Sequence, residues 1–275
     1  MIRFPIAGVL AVLLLFAGCN GGEDKAGPQS SSKNAPAFGI VLMHGKGGTS
    51  RWVESLAADL RNAGYVVETP LLPWGQGRKY DRTYQDALLE VDQAVEKLKA
   101  KGAKRIVIGG HSLGANVALG YAVNRKDVAG VMMLAPGHLP SGRVFARVAG
   151  ESVARAKRMI TKGEGNRKDD FADINQGRED VVHVSAKIYL SWFDPSGPAS
   201  MRANATRLSS VPVLWVGGHI DRLASVNGPR LVFQRLPDHK LNRLELIDSD
   251  HLRTPGDSTS VVLKWLKELL AATGP

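Results

Sequence analysis

The sequence predicts an α/β fold built on a mostly parallel sheet covered by helices on both faces, and three observations carry that prediction. Short, nearly continuous apolar runs alternate with longer segments of helical apolar spacing, which is the pattern of strands buried on both faces. Two of these runs enter glycine-bearing turns, His44-Gly45-Lys46-Gly47-Gly48 and Gly110-His111-Ser112-Leu113-Gly114, each followed by helical spacing. The 275 residues, 44% hydrophobic and 23% charged, suit one large soluble domain and exclude a multi-span membrane protein or a disordered chain.

In order along the chain, Phe38 to Met43 (FGIVLM) is a buried strand that runs straight into the turn at His44 to Thr49. Trp52, Val53, Leu56, Ala57 and Leu60 recur at helical spacing up to a stop near Asn62 to Gly64. Tyr65 to Thr69 is a second strand, followed by the Pro- and Gly-rich loop Pro70 to Tyr80. Thr83 to Lys101 is a long amphipathic helix with Leu88, Leu89, Val91, Val95 and Leu98 on its apolar face. Lys104 to Ile108 leads a third strand into the GGHSLG turn and a helix over Ala115 to Val123, and Val128 to Leu134 is a fourth strand.

There the alternation breaks. Leu139 to Ser210 contains a basic helical stretch, Arg143 to Lys162, then a polar stretch through Gln176 and a mixed segment, Val181 to Phe193, with no strand promptly followed by a helix. A segment of that length is too long for a plain connection, so residues of about 139–210 are expected to form a helical cap insertion. Strand Val211 to Val216, a helix near Pro229 to Leu236, strand Leu241 to Ile247 and helix Thr259 to Ala272 resume the pattern.

The first residues are a separate object. Arg3 precedes an uncharged apolar run, Ile6 to Phe16, which is shorter than the about 20 residues of a membrane-spanning helix and fits an export signal. Cys19 is the only cysteine, so no intramolecular disulfide forms. Phe16-Ala17-Gly18-Cys19 resembles the lipobox of bacterial lipoproteins, with Phe where Leu is commonest. That resemblance implies cleavage after residue 18, lipidation of Cys19, and anchoring at the periplasmic face or the cell surface of a bacterium. Residues 19–36, rich in Gly, Ser and Pro, are a flexible tether, and 37–275 are the folded domain.

In open parallel sheets, ligands bind beyond the carboxyl ends of the strands. Those ends carry the HGKGG turn, the PLLPWGQG loop, Ser112, Gly217 to Asp221 and His251. Gly110 to Gly114 is a G-x-S-x-G sequence set between a strand and a helix, the context in which such a match places a nucleophile on a tight turn. Gly110 and Gly114, lacking side chains, let that strand and helix approach. A serine hydroxyl is weakly nucleophilic at neutral pH and needs a base for its proton and donors for the oxyanion that forms.

With the elbow and the strand ending in His-Gly, the chain resembles the α/β-hydrolase superfamily over roughly residues 37 to 275. The resemblance implies the chain order nucleophile, acid, base: Ser112, then Asp221 in Gly217-Gly218-His219-Ile220-Asp221, then His251 after the last strand. Asp194, Asp248 and Asp250 also lie in loops and are the rivals for the acid. Of the other histidines, His111 adjoins Ser112 and cannot easily swing to its hydroxyl, while His44 suits a bracing role in the turn. The Leu113 amide at a helix N-terminus is one oxyanion donor, and the resemblance points to the Lys46 amide as the second. Phe145, Trp192 and Phe193 in the insertion, with Trp74 outside it, offer apolar surface for a substrate pocket.

The implied activity is that of an exported, lipid-anchored serine hydrolase cleaving carboxylic esters or related acyl compounds through an acyl-enzyme. Amide or thioester hydrolysis uses the same triad, and a catalytically silent binding lipoprotein is the non-enzymatic alternative. No metal site or cofactor is expected, since C-x-x-C, H-E-x-x-H, a P-loop and a dinucleotide fingerprint are all missing from the sequence. The formal charge of +10 is concentrated in Arg143 to Lys168, where eight Lys and Arg face only Glu151 and Glu164. A solvated helix face, an anionic membrane surface or an acidic substrate each account for that excess; nucleic acid is not expected, because no binding motif accompanies it.

Overall fold

The apolar run that opens the domain forms β1 (Gly39–Met43), and every residue of it is buried. In a strand successive side chains point to opposite faces. Accordingly Ile40 and Leu42 join one core layer with Leu56, Leu60, Trp265 and Leu269, whereas Val41 and Met43 join the other with Leu88, Val91, Val95 and Leu113. A strand sandwiched between two apolar layers has no solvent face, which is why its sequence does not alternate.

The computed structural model describes residues 38–223 and 228–273. The expected signal segment, Cys19 and the tether lie outside the described residues. After β1 come α1 (Glu54–Asn62), β2 (Val66–Glu68), α2 (Tyr84–Ala100), β3 (Ile106–His111), α3 (Leu113–Asn124) and β4 (Gly130–Leu134). Thr83 caps α2, its hydroxyl accepting from the Asp86 amide while the Asp86 carboxylate accepts from the Thr83 amide, so two orphan donors at the helix start are satisfied. Beyond the insertion come β7 (Val213–Gly218), α7 (Gly228–Leu231), β8 (Arg243–Ile247), α8 (Thr254–Asp257) and α9 (Thr259–Thr273). The six-stranded sheet runs β2-β1-β3-β4-β7-β8 with every neighbouring pair parallel. This is the α/β-hydrolase fold, and all carboxyl ends of its strands lie on one side.

Between β4 and β7 the insertion holds α4 (Arg143–Thr161), β5 (Lys168–Asn175), β6 (Arg178–Ser185), α5 (Ala186–Phe193) and α6 (Met201–Arg207). The expectation of helices alone is corrected here, because β5 and β6 form an antiparallel hairpin in register from Lys168 opposite Ser185 to Asn175 opposite Arg178. Gln176 and Gly177 turn it with φ of 51° and 79°, the left-handed pair that a two-residue hairpin loop requires. Gln is an uncommon residue for that conformation, and most of the hairpin's residues are polar, so neither the turn nor the strands stand out in the sequence.

Smaller departures have local causes. Trp52 sits in a 3-10 turn (Ser50–Trp52) with 40% of its surface exposed, rather than in the core face of α1. The helix expected near Pro229 to Leu236 is one turn of α helix followed by a 3-10 turn at Phe233–Arg235.

Candidate active site

A single residue, Ser112, separates β3 from α3, and its backbone lies at φ 54°, ψ −114°. A non-glycine residue held there carries strain on the order of 1–3 kcal/mol, which persists only where the surroundings enforce it. Those surroundings are the two glycines. A Cβ on Gly110 would sit 2.4 Å from the Gly114 carbonyl carbon, and one on Gly114 would sit 2.6 Å from the Met43 carbonyl oxygen. β3, α3 and β1 therefore close on one another only with both side chains missing.

Asp221 follows β7 and His251 follows β8, so both emerge on the same side of the sheet as Ser112. The His251 Nδ1–H donates to Asp221 Oδ2 across 2.8 Å, and the Ser112 hydroxyl donates to His251 Nε2 across 3.0 Å. Asp221 is 2% exposed, and its other carboxylate oxygen accepts from the Leu223 amide at 2.8 Å. A buried carboxylate that accepts Nδ1–H fixes the tautomer with a lone pair on Nε2, which is the atom aimed at the hydroxyl.

Two of the rival carboxylates are engaged elsewhere. Asp250 Oδ1 accepts from the amides of Leu252 and Arg253, each at 2.9 Å, shaping the loop that carries His251. Asp194 pairs with Lys157 at 2.9 Å and accepts from the Ser196 amide. His111 donates Nε2–H to the His251 carbonyl at 2.8 Å, and burial pushes its pKa down to about 4. It is a neutral brace behind His251. His44 is likewise held below its ordinary value by burial; it donates Nδ1–H to the Gly45 carbonyl and accepts the Leu72 amide at Nε2.

A cavity of about 160 Å³ opens at Ser112 and is bounded by Lys46, Leu113, Leu139, Phe145 and Leu223, among others. Lys46 and Leu113, the two residues expected to supply oxyanion amides, line the same cavity as Ser112. The hairpin tip Asn175–Gly177 also reaches this cavity. Its Gly137 wall leaves no room for a side chain, since a Cβ there would lie 2.7 Å from Ser112 Oγ.

The aromatic pocket expected at Trp74, Trp192 and Phe193 is corrected by their burial. Their exposures are 1%, 0% and 2%, and none lines the cavity. Trp192 packs against Trp74, Tyr80 and Tyr84 with ring centroids 5.7, 5.2 and 4.9 Å away, and its indole N–H donates to the Arg82 carbonyl. Trp74 donates to the His44 carbonyl at 2.9 Å, and Phe193 stacks on Tyr189 at 4.4 Å. Aromatic rings that seat a cap on a sheet look, in sequence, like rings that seat a ligand. Phe145 alone of the insertion aromatics named from sequence lines the cavity. Trp192→Ala is accordingly expected to cost about 3–5 kcal/mol of stability and to lower activity equally on every substrate. A thermal melt with unchanged midpoint, together with a KM change confined to long acyl chains, would return Trp192 to the pocket.

The Lys46 side chain is a feature that the sequence did not disclose. Its ammonium is 2.5 Å from Asp173 Oδ1 and donates to the Ile174 carbonyl at 2.8 Å, both on β5. The ring centroids of Tyr80, Phe145 and Phe193 lie 5.7, 5.9 and 5.5 Å from it. Burial holds the ammonium below its ordinary pKa while Asp173 opposes that shift. The two partners stand 127 positions apart, so no local pattern joins them.

Residues 34–249 match the family model described as serine aminopeptidase, S33. A thermostable monoacylglycerol lipase from Bacillus sp. strain H-257 is 30% identical over 105 residues, which is 37% of this chain and 41% of the lipase. That match spans about two-fifths of the lipase's length. Among solved structures, the monoacylglycerol lipase of Paleococcus ferrophilus aligns with TM-score 0.59 and 22% identity over 84% of this chain and 94% of its own. Est1E from Butyrivibrio proteoclasticus aligns with TM-score 0.62 and 17% identity over 88% and 91%. At such identities the likeness to these structures is one of fold.

Proposed function

Since the chain belongs to the serine aminopeptidase S33 family of the α/β-hydrolase superfamily, we propose that it is a serine hydrolase that cleaves carboxylic esters. The observation that carries this reading is the hydrogen-bonded series Asp221, His251, Ser112 opening on a largely apolar cavity. Ser112 Oγ attacks the ester carbonyl as its proton passes to His251 Nε2, and the amides of Leu113 and Lys46 hold the oxyanion. The imidazolium then protonates the departing alkoxide as the ester C–O bond breaks. Water attacks the acyl-enzyme, returns a proton through His251 to Ser112 Oγ, and releases the acid. Asp221 keeps the imidazole oriented and stabilises its cation.

Substrate charge favours an ester over an aminoacyl amide. An aminopeptidase substrate presents a free ammonium, which calls for a carboxylate at its binding pocket. Among the described residues that line the cavity none is acidic, whereas Lys46 and Arg143 are both cationic. The 30% identity to a monoacylglycerol lipase points the same way. Turnover of a p-nitrophenyl ester series of rising acyl length, set against aminoacyl p-nitroanilides, tests this. Esters are expected to turn over at least tenfold faster; faster anilide cleavage would reverse the assignment.

The same proposal includes export and a lipid anchor at Cys19, supported by the apolar run Ile6 to Phe16 and the small residues before the only cysteine. Cys19→Ser is expected to move the protein from the detergent phase to the aqueous phase in a cloud-point partition. Unchanged partitioning would refute lipidation.

A further inference from the structure

We propose that Asp173, on the cap hairpin, is a positioning residue for the oxyanion hole, acting through the Lys46 side chain on the Lys46 amide. This rests on the reading of Ser112 as nucleophile and Lys46 as an oxyanion donor. The turn that carries Lys46 is fixed on its core side by backbone bonds, from the Gly47 amide to the Trp74 carbonyl at 2.8 Å and from the Gln76 amide to the Gly48 carbonyl at 3.0 Å. The Lys46 side chain adds a further hold. That side chain crosses to β5, where the ammonium meets Asp173 Oδ1 and the Ile174 carbonyl.

The physical setting makes this a stiff connection rather than a surface ion pair. The Lys46 and Asp173 side chains are 10% and 3% exposed, and three aromatic rings surround the ammonium. With both partners largely buried, displacing one leaves the other charge poorly compensated. Asp173 is itself held, its Oδ1 also accepting the Ile174 amide at 2.7 Å. The lysine stem, rooted in a sheet-side turn and held at its end by a cap strand, couples the position of that strand to its own backbone N–H. Oxyanion donors act only at the transition state, and misplacing one costs rate rather than binding.

The consequence separates this role from a merely structural one. Deleting an oxyanion donor costs about 10²–10³ in kcat. Asp173→Asn should displace rather than delete the Lys46 amide, and is expected to lower kcat for p-nitrophenyl acetate about 10- to 100-fold with KM changed less than about twofold. Acetate is chosen because so short an acyl group makes little use of the cavity. The rate of Ser112 labelling by a fluorophosphonate, whose phosphoryl oxygen enters the same hole, should fall in parallel.

Rates are taken per active site titrated, so that partly unfolded protein does not imitate the effect. Should Asp173→Asn fail to fold, the pair Lys46→Gln with Asp173→Asn replaces the ion pair with a neutral hydrogen-bonded one. That double variant is expected to recover at least part of the labelling rate lost in Lys46→Gln alone. Labelling and kcat within twofold of wild type in Asp173→Asn, or no recovery in the double variant, would overturn the proposal. So would a loss expressed only in KM. Failure of the ester-hydrolase reading looks different: the wild-type protein would then label at Ser112 yet turn over no ester, and the labelling rates would still decide the role of Asp173.

Discussion

Replacing Ser112 with Ala abolishes ester turnover, with a loss on the order of 10⁵–10⁶ in kcat, while the melting midpoint moves by no more than a few degrees. The two halves of this result have separate causes. The hydroxyl is the atom that attacks, and no neighbouring side chain substitutes for it: His111 is neutral and turned to the His251 carbonyl, and Lys46 is engaged by Asp173. Stability changes little because Ala keeps the Cβ and meets the same φ of 54°, so the strain at the elbow is unchanged. Turnover near the wild-type rate would remove Ser112 from the chemistry. A large fall in the melting midpoint would instead say that the hydroxyl supports the fold.

Asp221→Asn is the second large effect, a fall of about 10⁴ in kcat. The substitution is nearly isosteric, but an amide nitrogen facing His251 Nδ1 drives the imidazole to the other tautomer. Its Nε2 then carries the proton and can no longer accept one from Ser112 across the 3.0 Å contact. Asp250→Asn is the matched control. Asp250 Oδ1 receives two backbone amides, and Asn retains an oxygen there, so turnover should stay within a few-fold of wild type. A deeper loss in Asp250→Asn than in Asp221→Asn would mean that the acid had been misassigned.

How much of this was legible in the sequence follows from where each constraint is written. The elbow is written locally. Gly110 and Gly114 are required because a Cβ at either would fall within 3 Å of backbone atoms of α3 or β1, and so close an approach leaves a residue type behind at a fixed spacing. The strands were legible because a run like Ile106 to His111, buried on every residue, has no solvent face to dilute it. Asp221 and His251 were reachable through chain order, each following a recognisable strand.

The cap is another matter. β5 reads KDDFADIN, and only three of its eight residues are buried, so its pattern is too polar to mark a strand. Trp192 was misread because burial against a cap and burial against a ligand draw on the same residue types. The Lys46–Asp173 connection lies beyond sequence logic altogether, since a charge pair between distant segments has no period, only a shared place in the fold.

The central claim is that Ser112 carries the acyl group during turnover, and trapping that intermediate tests it most directly. Protein quenched in acid during steady-state hydrolysis of a p-nitrophenyl ester should gain the mass of one acyl group, and peptide mapping should place it on Ser112. An acyl adduct on any other residue, or rapid turnover in the absence of any adduct together with full activity after fluorophosphonate treatment, would contradict the account.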